Sequence, residues 1–284
     1  MTNPVVHTRI KKVAAAGITD TSDTLATEEP LEIRLVHGPS HNRRQQNISV
    51  TMRTPGEDKE LAAGFLFTEG IINSQEAIQE IHLSAEQDHQ IATVHLKPNV
   101  VAILGNVARN FTATAACGVC GKTSAADIHT AVDVNNSSVQ FSSRLLFRLP
   151  SLLRHEQALF ATTGGLHAAA LVDQQGQLLL LREDIGRHNA VDKIIGAAMA
   201  QQWLPLKNHL LLLSGRAGFE LIQKAAAAGI PVIAAIGAPS SMAVKMATQW
   251  NITLLGFLKE QRFNIYTHPE RIGFEENNIT YAQG

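Results

Sequence analysis

The 284-residue sequence predicts an α/β architecture in two unequal parts, and three patterns carry that expectation. After residue 142, continuous apolar runs alternate with segments of helical periodicity, as in a sheet covered on both faces. Before it, shorter alternating strands accompany a single amphipathic helix, which suits a smaller α+β domain. The length itself exceeds that of most single compact domains. The expected division is a flexible N-terminal arm over 1–27, an α+β domain carrying a Cys-x-x-Cys loop over 28–141, and an α/β domain over 142–284.

The elements follow in order. Residues 1–27 are rich in Thr and Ala, show little periodicity and read as a loose arm. EEPLEIRLV alternates Leu31, Ile33 and Leu35, and NISVTMR alternates Ile48, Val50 and Met52; the polar stretch HGPSHNRRQQ joins these two strands. In TPGEDKELAAGFLFTEGII, Thr54, Pro55 and Glu57 fall where an N-cap, a first helical residue and a capping-box partner belong. IATVHLK gives a further strand. SSRLLFRLPSLLRHEQALFATTGG reads as one or two helices broken near Pro150. Beyond it HAAALVD and QLLLLRED are strands, RHNAVDKIIGAAMAQQ a helix, HLLLLSG a strand and AGFELIQKAAAAG a helix ended by Gly229. PVIAAIGA, SSMAVKMATQW and ITLLGFL continue the strand–helix–strand alternation, and FNIYT adds a last strand. The runs predict a largely parallel sheet.

Composition narrows the function. Hydrophobic residues make up 45% and charged residues 17%, with a formal net charge of −1. No global field therefore attracts nucleic acid or an anionic membrane, and anion binding has to come from local cations. No window approaches the roughly 18 apolar residues of a membrane helix, and the first residues make a poor signal peptide. Two cysteines are too few for a disulfide framework and fit a reducing compartment. A cytoplasmic protein is expected.

Both cysteines lie in AACGVCGKTS, as Cys117 and Cys120. Such a pair can form a disulfide, share a metal, carry sulfur as a persulfide, or be incidental. Zinc requires about four ligands, and no second Cys-x-x-Cys or spaced histidine pair is visible. Gly118 and Gly121 permit backbone amides to converge on a sulfur anion, and Lys122 adds a cation. These features favour thiolate over thiol.

Three polar turns at strand ends form a second locus. TTGGLH brings His167; SGRAGFE brings Ser214, Gly215 and Arg216; REDIGRHNAVDK packs Arg182, Asp184, Arg187, His188 and Lys193 between a strand and a helix. Open α/β sheets place ligands at such edges, and a helix start there suits a phosphate. The three turns are expected to line one cleft. SGRAGFE lacks the spacing of a P-loop.

AACGVCGKTS, TGGLHAAAL, REDIGRHNAVDK, SGRAGFE, AGIPVIAAIGAPSSMAV and NIYTHPERI, in this order, closely resemble the FdhD family over about residues 28–272. Two departures are Ala115-Ala116, where the family usually has serines, and Gly218, where Ser is usual. The resemblance implies a sulfurtransferase that accepts persulfide sulfur from a cysteine desulfurase. It would pass that sulfur to the bis-molybdopterin guanine dinucleotide form of the molybdenum cofactor, for a formate dehydrogenase apoenzyme. It implies that Cys117 carries the persulfide with Cys120 as helper or resolving thiol, and that the second half is a cytidine deaminase-like α/β/α sandwich. It adds Phe257, Leu258, Lys259, Glu260, Gln261 and Arg262 to the cofactor-binding residues named above. A guanine nucleotide such as GDP should mimic the bound cofactor. Deaminases hold zinc with H-x-E and P-C-x-x-C segments; the matching turns here read RHNA and SGRAGFE, so no zinc is expected. A homodimer is the expected assembly. The alternatives from other classes are a chaperone that binds the cofactor without moving sulfur, and a zinc-stapled binding module.

Overall fold

The computed structural model describes residues 3–86, 89–104 and 134–274. Two sheets flank a layer of helices. The first has four strands in the order β4-β3-β6-β5, formed by Glu29–His37 (β3), Arg44–Arg53 (β4), Ile78–Glu86 (β5) and His89–Leu96 (β6). β3 pairs antiparallel with β4 and parallel with β6. Its inner face is the alternating set read above: Leu31, Ile33, Leu35 and Ile48 are all fully buried. The opposite face carries Val50 and Met52, both exposed.

The second sheet has six strands in the order β13-β12-β11-β10-β8-β9. They are His167–Val172 (β8), Leu178–Asp184 (β9), Leu210–Leu213 (β10), Val232–Ala235 (β11), Thr253–Lys259 (β12) and Arg262–Thr267 (β13). Only β10–β11 and β11–β12 pair in parallel. β8 runs antiparallel to both β10 and β9, and β13 antiparallel to β12. The sheet is thus mixed rather than largely parallel. Apolar runs such as HAAALV report burial on both faces and carry no information on strand direction. One face is covered by Arg187–Ala200 (α4), Phe219–Ala227 (α5) and Ser241–Gln249 (α6), the other by Ser143–Glu156 (α2). α2 runs on through Pro150 and ends at Gln157, where Ala158–Thr163 (α3) begins. Leu146, Leu149 and Leu153 bury one face of α2 against the sheet, which holds the helix together despite the missing amide of Pro150. A short parallel pair, Phe141–Ser142 (β7) with Ile272–Gly273 (β14), closes the chain ends of this half.

Residues 5–26, read as an arm, form an antiparallel hairpin of two ten-residue strands, Val5–Ala14 (β1) and Gly17–Ala26 (β2). Its strands are largely exposed on both faces, so the buried alternation that marks a strand is missing from the sequence.

Asp58–Thr68 (α1) joins the two halves. One hydrophobic cluster runs from β3, β4 and β6 through α1 into α4, α5 and β10, across the expected boundary at 141/142. α1 and α4 meet backbone to backbone. A Cβ added at Gly64 would lie 1.9 Å from the Asp192 carbonyl oxygen, and one at Gly196 would lie 1.9 Å from that of Glu60. Only hydrogen fits at either position. The expected capping box is absent: α1 starts at Asp58, with Glu57 as a left-handed N-cap at φ 55°. Thr54 is instead buried and used across the chain. Its amide donates to Asp184 Oδ2 at 3.2 Å, and its hydroxyl accepts from the Ile185 amide at 3.2 Å. Among the described residues no helix is long and apolar enough to cross a membrane.

Overpacking of a close helix contact costs up to about 3 kcal/mol. Gly64→Ala and Gly196→Ala should each destabilise the protein by about that amount, read as a lower urea midpoint. A wild-type midpoint for either would show that the helices do not meet as described.

Candidate functional site

The segment REDIGRHNAVDK holds seven ionisable groups, and the structure assigns five of them to fixed partners. Arg182 donates to both carboxylate oxygens of Glu60 on α1, at 2.6 and 2.8 Å. Glu183 accepts from the Leu159 and Phe160 amides, at 2.9 and 2.8 Å, and so fixes the first turn of α3. Asp184, fully buried, accepts from the Thr54 and Gly186 amides and from Asn189 Nδ2, and pairs with Lys193 Nζ at 2.9 Å. Asp192 pairs with Lys224 at 3.0 Å and accepts from Thr68 at 2.7 Å. Burial alone would lower the Lys224 ammonium's pKa, but Asp192 and Glu69 outweigh it and hold it above its ordinary value. Arg182, Asp184 and Lys193 therefore lock the first half of the chain onto the second. Arg187 and His188 are the two left over.

The strand ends beside this segment surround a cavity of about 990 Å³. It lies at the C-terminal edge of the parallel strands β10–β12, where α/β sheets bind ligands. His167, Ser214, Gly215 and residues 258–262 line it. Because β8 is antiparallel to β10, its first residue reaches the same edge as the last of β10. Ser214 ties the two together: its hydroxyl accepts from the Ala168 amide at 2.8 Å, and its amide donates to the Ala168 carbonyl at 3.0 Å. Gly215 sits close against His167: a Cβ there would lie 3.1 Å from His167 Nδ1, so a side chain would have to press the imidazole aside.

Phe257 stands outside the lining, 43% exposed and at φ 53°. A left-handed aromatic residue inside a strand is strained by about 1–3 kcal/mol. It sits in the irregular register between Gly256 and Lys259, anchored by its amide to the Gly237 carbonyl at 3.0 Å. That bulge turns Leu258 inward, where it is fully buried and forms part of the cavity wall.

The opposite wall comes from α2 and α3 through Pro150, Leu153, Arg154, Gln157 and Phe160. Sequence reasoning missed all five, because they carry no motif; buried polar Gln157 at a helix junction is the only local hint. Ser151 donates to Glu260 at 2.6 Å, across from β12. Arg154, Lys259 and Arg262 stand among the lining residues against one carboxylate, Glu260. The cavity is polarised toward an anionic ligand.

Arg182, Asp184, Arg187, His188 and Arg216 do not line this cavity. The last three gather behind His167. Burial lowers the pKa of His167, and the charges of Arg187, His188 and Arg216 lower it further. His188 is 8% exposed, and its Nε2 has no hydrogen-bond partner. Leaving such an atom unsatisfied costs about 1–3 kcal/mol. Glu220 Oε2 is the nearest carboxylate, 3.8 Å away. Burial would raise the pKa of Glu220, but His188, its own amide and Arg187 hold it below the usual range. Glu220 belongs to the quoted SGRAGFE motif yet went unremarked there. Cys117, Cys120 and Lys122 lie outside the described residues. Among the described residues no three His, Cys, Asp or Glu side chains are grouped to hold a metal ion.

Fold and cavity together define an α/β protein with an anion-seeking pocket at the edge of a mixed sheet. The chain belongs to the FdhD/NarQ family, whose match spans residues 26–273. It is 46% identical over 273 residues to a sulfur carrier protein FdhD of Mycolicibacterium paratuberculosis, covering 93% of this chain and 97% of that one. A sulfur carrier protein FdhD of Saccharolobus solfataricus is 38% identical over 270 residues, covering 93% and 98%. A crystal structure from Desulfotalea psychrophila, described as a formate dehydrogenase accessory protein, superposes with a TM-score of 0.75 over 95% of this chain and 100% of that one. At 23% identity that likeness is one of fold.

The charges around His167 have a measurable consequence. A depressed folded-state pKa means that the unfolded chain takes the proton first as pH falls. His167 thus stabilises least below its folded pKa, and its contribution is recovered as pH rises through the ordinary 6.5. Arg216→Gln removes one neighbouring cation and should raise the His167 pKa, read by NMR titration of its ring. An unchanged titration would separate the two residues.

Proposed function

We propose that the protein is a sulfur carrier that serves formate dehydrogenase maturation, with its cargo site in the cavity beside His167. The observation that carries this reading is the cavity itself: about 990 Å³, three cations to one carboxylate, at a sheet edge suited to nucleotides. Membership of a family whose relatives are named sulfur carriers supports the transfer role.

In this reading Cys117 takes sulfur from the persulfide of a cysteine desulfurase. Its thiolate attacks the outer sulfur, a new S–S bond forms, and the desulfurase thiolate leaves. The acceptor is the bis-molybdopterin guanine dinucleotide cofactor, a substrate here rather than a resident group. Its guanine nucleotide end enters the cavity, with Lys259 and Arg262 facing its phosphates and Phe160 its apolar surface, while the buried Leu258 backs the wall. GDP stands in for that end. Phe257 and Gln261 flank the entrance, while Arg182 and Asp184 position the wall rather than touch cargo. Cys120 acts beside Cys117 as helper or resolving thiol. The scaffold is read as deaminase-like, with RHNA and SGRAGFE in place of zinc-binding segments. A cytoplasmic homodimer acting with a formate dehydrogenase apoenzyme completes the proposal.

Two loci predict two separable defects. Cys117→Ala should take up no reducible sulfur by intact mass spectrometry after incubation with a desulfurase and cysteine, yet bind GDP as the wild type does. Arg262→Ala should load sulfur normally while its GDP affinity falls about tenfold, the loss of one charge-assisted contact. Wild-type protein that gains no sulfur would remove the carrier role and leave a cofactor-binding chaperone.

A further inference from the structure

We infer that the tip of the β1–β2 hairpin is the contact between two copies of this chain, through the face carrying Lys11, Val13, Ile18 and Asp20. The inference gives the homodimer of the proposed function a surface. It rests on that part of the reading and not on the cavity.

The hairpin is tied down at its base. There the Thr27 amide donates to the Pro4 carbonyl at 2.9 Å, and β2 lies against α3. Residues 11–20 are exposed throughout, so the outer half stands clear of the body. Strands of this length reach about 33 Å. A two-stranded ribbon alone is marginal in water. Whatever covers it has to be present whenever the protein is, which a second copy satisfies and a passing client does not.

Register places the side chains of the tip. Val13 stands opposite Ile18 and Lys11 opposite Asp20, and the two pairs share one face because they lie two residues apart. Val13 is 72% and Ile18 66% exposed, an apolar pair turned to water at the far end of the arm. Behind it Lys11 Nζ meets Asp20 Oδ1 at 2.8 Å, with both side chains largely exposed.

The charges select the arrangement of the copies. β1 holds Arg9, Lys11 and Lys12 and no carboxylate, whereas β2 holds Asp20 and Asp23 and no cation. Edge-to-edge pairing of like strands would set these charges against their own kind. A two-fold axis running between two stacked arms, along their length, does the opposite. It keeps each residue at its own level and lays β1 of one copy over β2 of the other. Val13 then meets Ile18 of the second copy, and Lys11 meets its Asp20. Apolar burial at the tip supplies the affinity, and the exposed charges beside it set the register.

Sedimentation of the full chain at micromolar concentration, with native mass spectrometry of mixed copies, tests this. The wild type should be dimeric. Val13→Thr combined with Ile18→Thr keeps the strand propensity of two exposed positions and should weaken association at least about tenfold. Lys11→Asp combined with Asp20→Lys preserves the ion pair within each arm. That variant should dimerise with itself as the wild type does. Its mixed dimers with the wild type should be at least about tenfold weaker, because lysine would then meet lysine and aspartate aspartate. A monomeric wild type overturns the interface and removes the homodimer from the proposed function, leaving sulfur loading and GDP binding untouched. A dimer indifferent to the threonine substitutions, or one that mixes freely with the exchanged variant, overturns the hairpin contact alone.

Discussion

The contact between α1 and α4 fixes the positions of everything else. At Gly64 and Gly196 the two backbones approach so closely that a methyl group would enter the neighbouring carbonyl. Around that crossing, buried polar groups set the register. Arg182 reaches Glu60 beside it, and Lys224, Asp192 and Thr68 close one end. Lys193, Asp184 and Thr54 close the other. Isolated buried ion pairs contribute little net stability once desolvation is counted. Their effect here is geometric: a slipped helix would leave several charges without partners.

The functional edge depends on that register. α4 begins where β9 ends, so the position of its first turn is set by the crossing 10 Å or so further along the helix. His188 and Arg187 are carried by that turn, and Asp184 pins it to the first half through Thr54. The N-terminal sheet takes no part in lining the cavity, yet it decides where the cavity's neighbours stand. A substitution near Thr54 can therefore displace the start of α4 without approaching the cavity.

Much of this was readable in the sequence, and the failures share a cause. Alternation located β3 and β4, and continuous apolar runs located β8 and β10–β12, because burial pattern is a local property. His167, Ser214, Gly215 and, through the resemblance, residues 258–262 were named from the sequence and line one cavity, whereas Arg182, Asp184, Arg187, His188 and Arg216, named with them, do not. Strand direction in the six-stranded sheet, the role of Thr54 and the contribution of α2 and α3 are set by distant partners. Thr54 has the sequence of a helix cap and the structure of a tertiary clamp. Charged residues misled in the same way: Arg182 and Asp184 look like ligand contacts until Glu60 and Lys193 are seen beside them. The hairpin of β1 and β2 escaped because strands wet on both faces have no hydrophobic period to detect.

Glu183 gives β9 an unexpected mechanical importance. One carboxylate at the end of this edge strand suspends α3, part of the cavity's wall, from the same few residues that launch α4. The α3 wall of the cavity and the first turn of α4 thus share one support, the end of β9, and a substitution at Glu183 releases the first of them while sitting three residues before Gly186, the N-cap of the second.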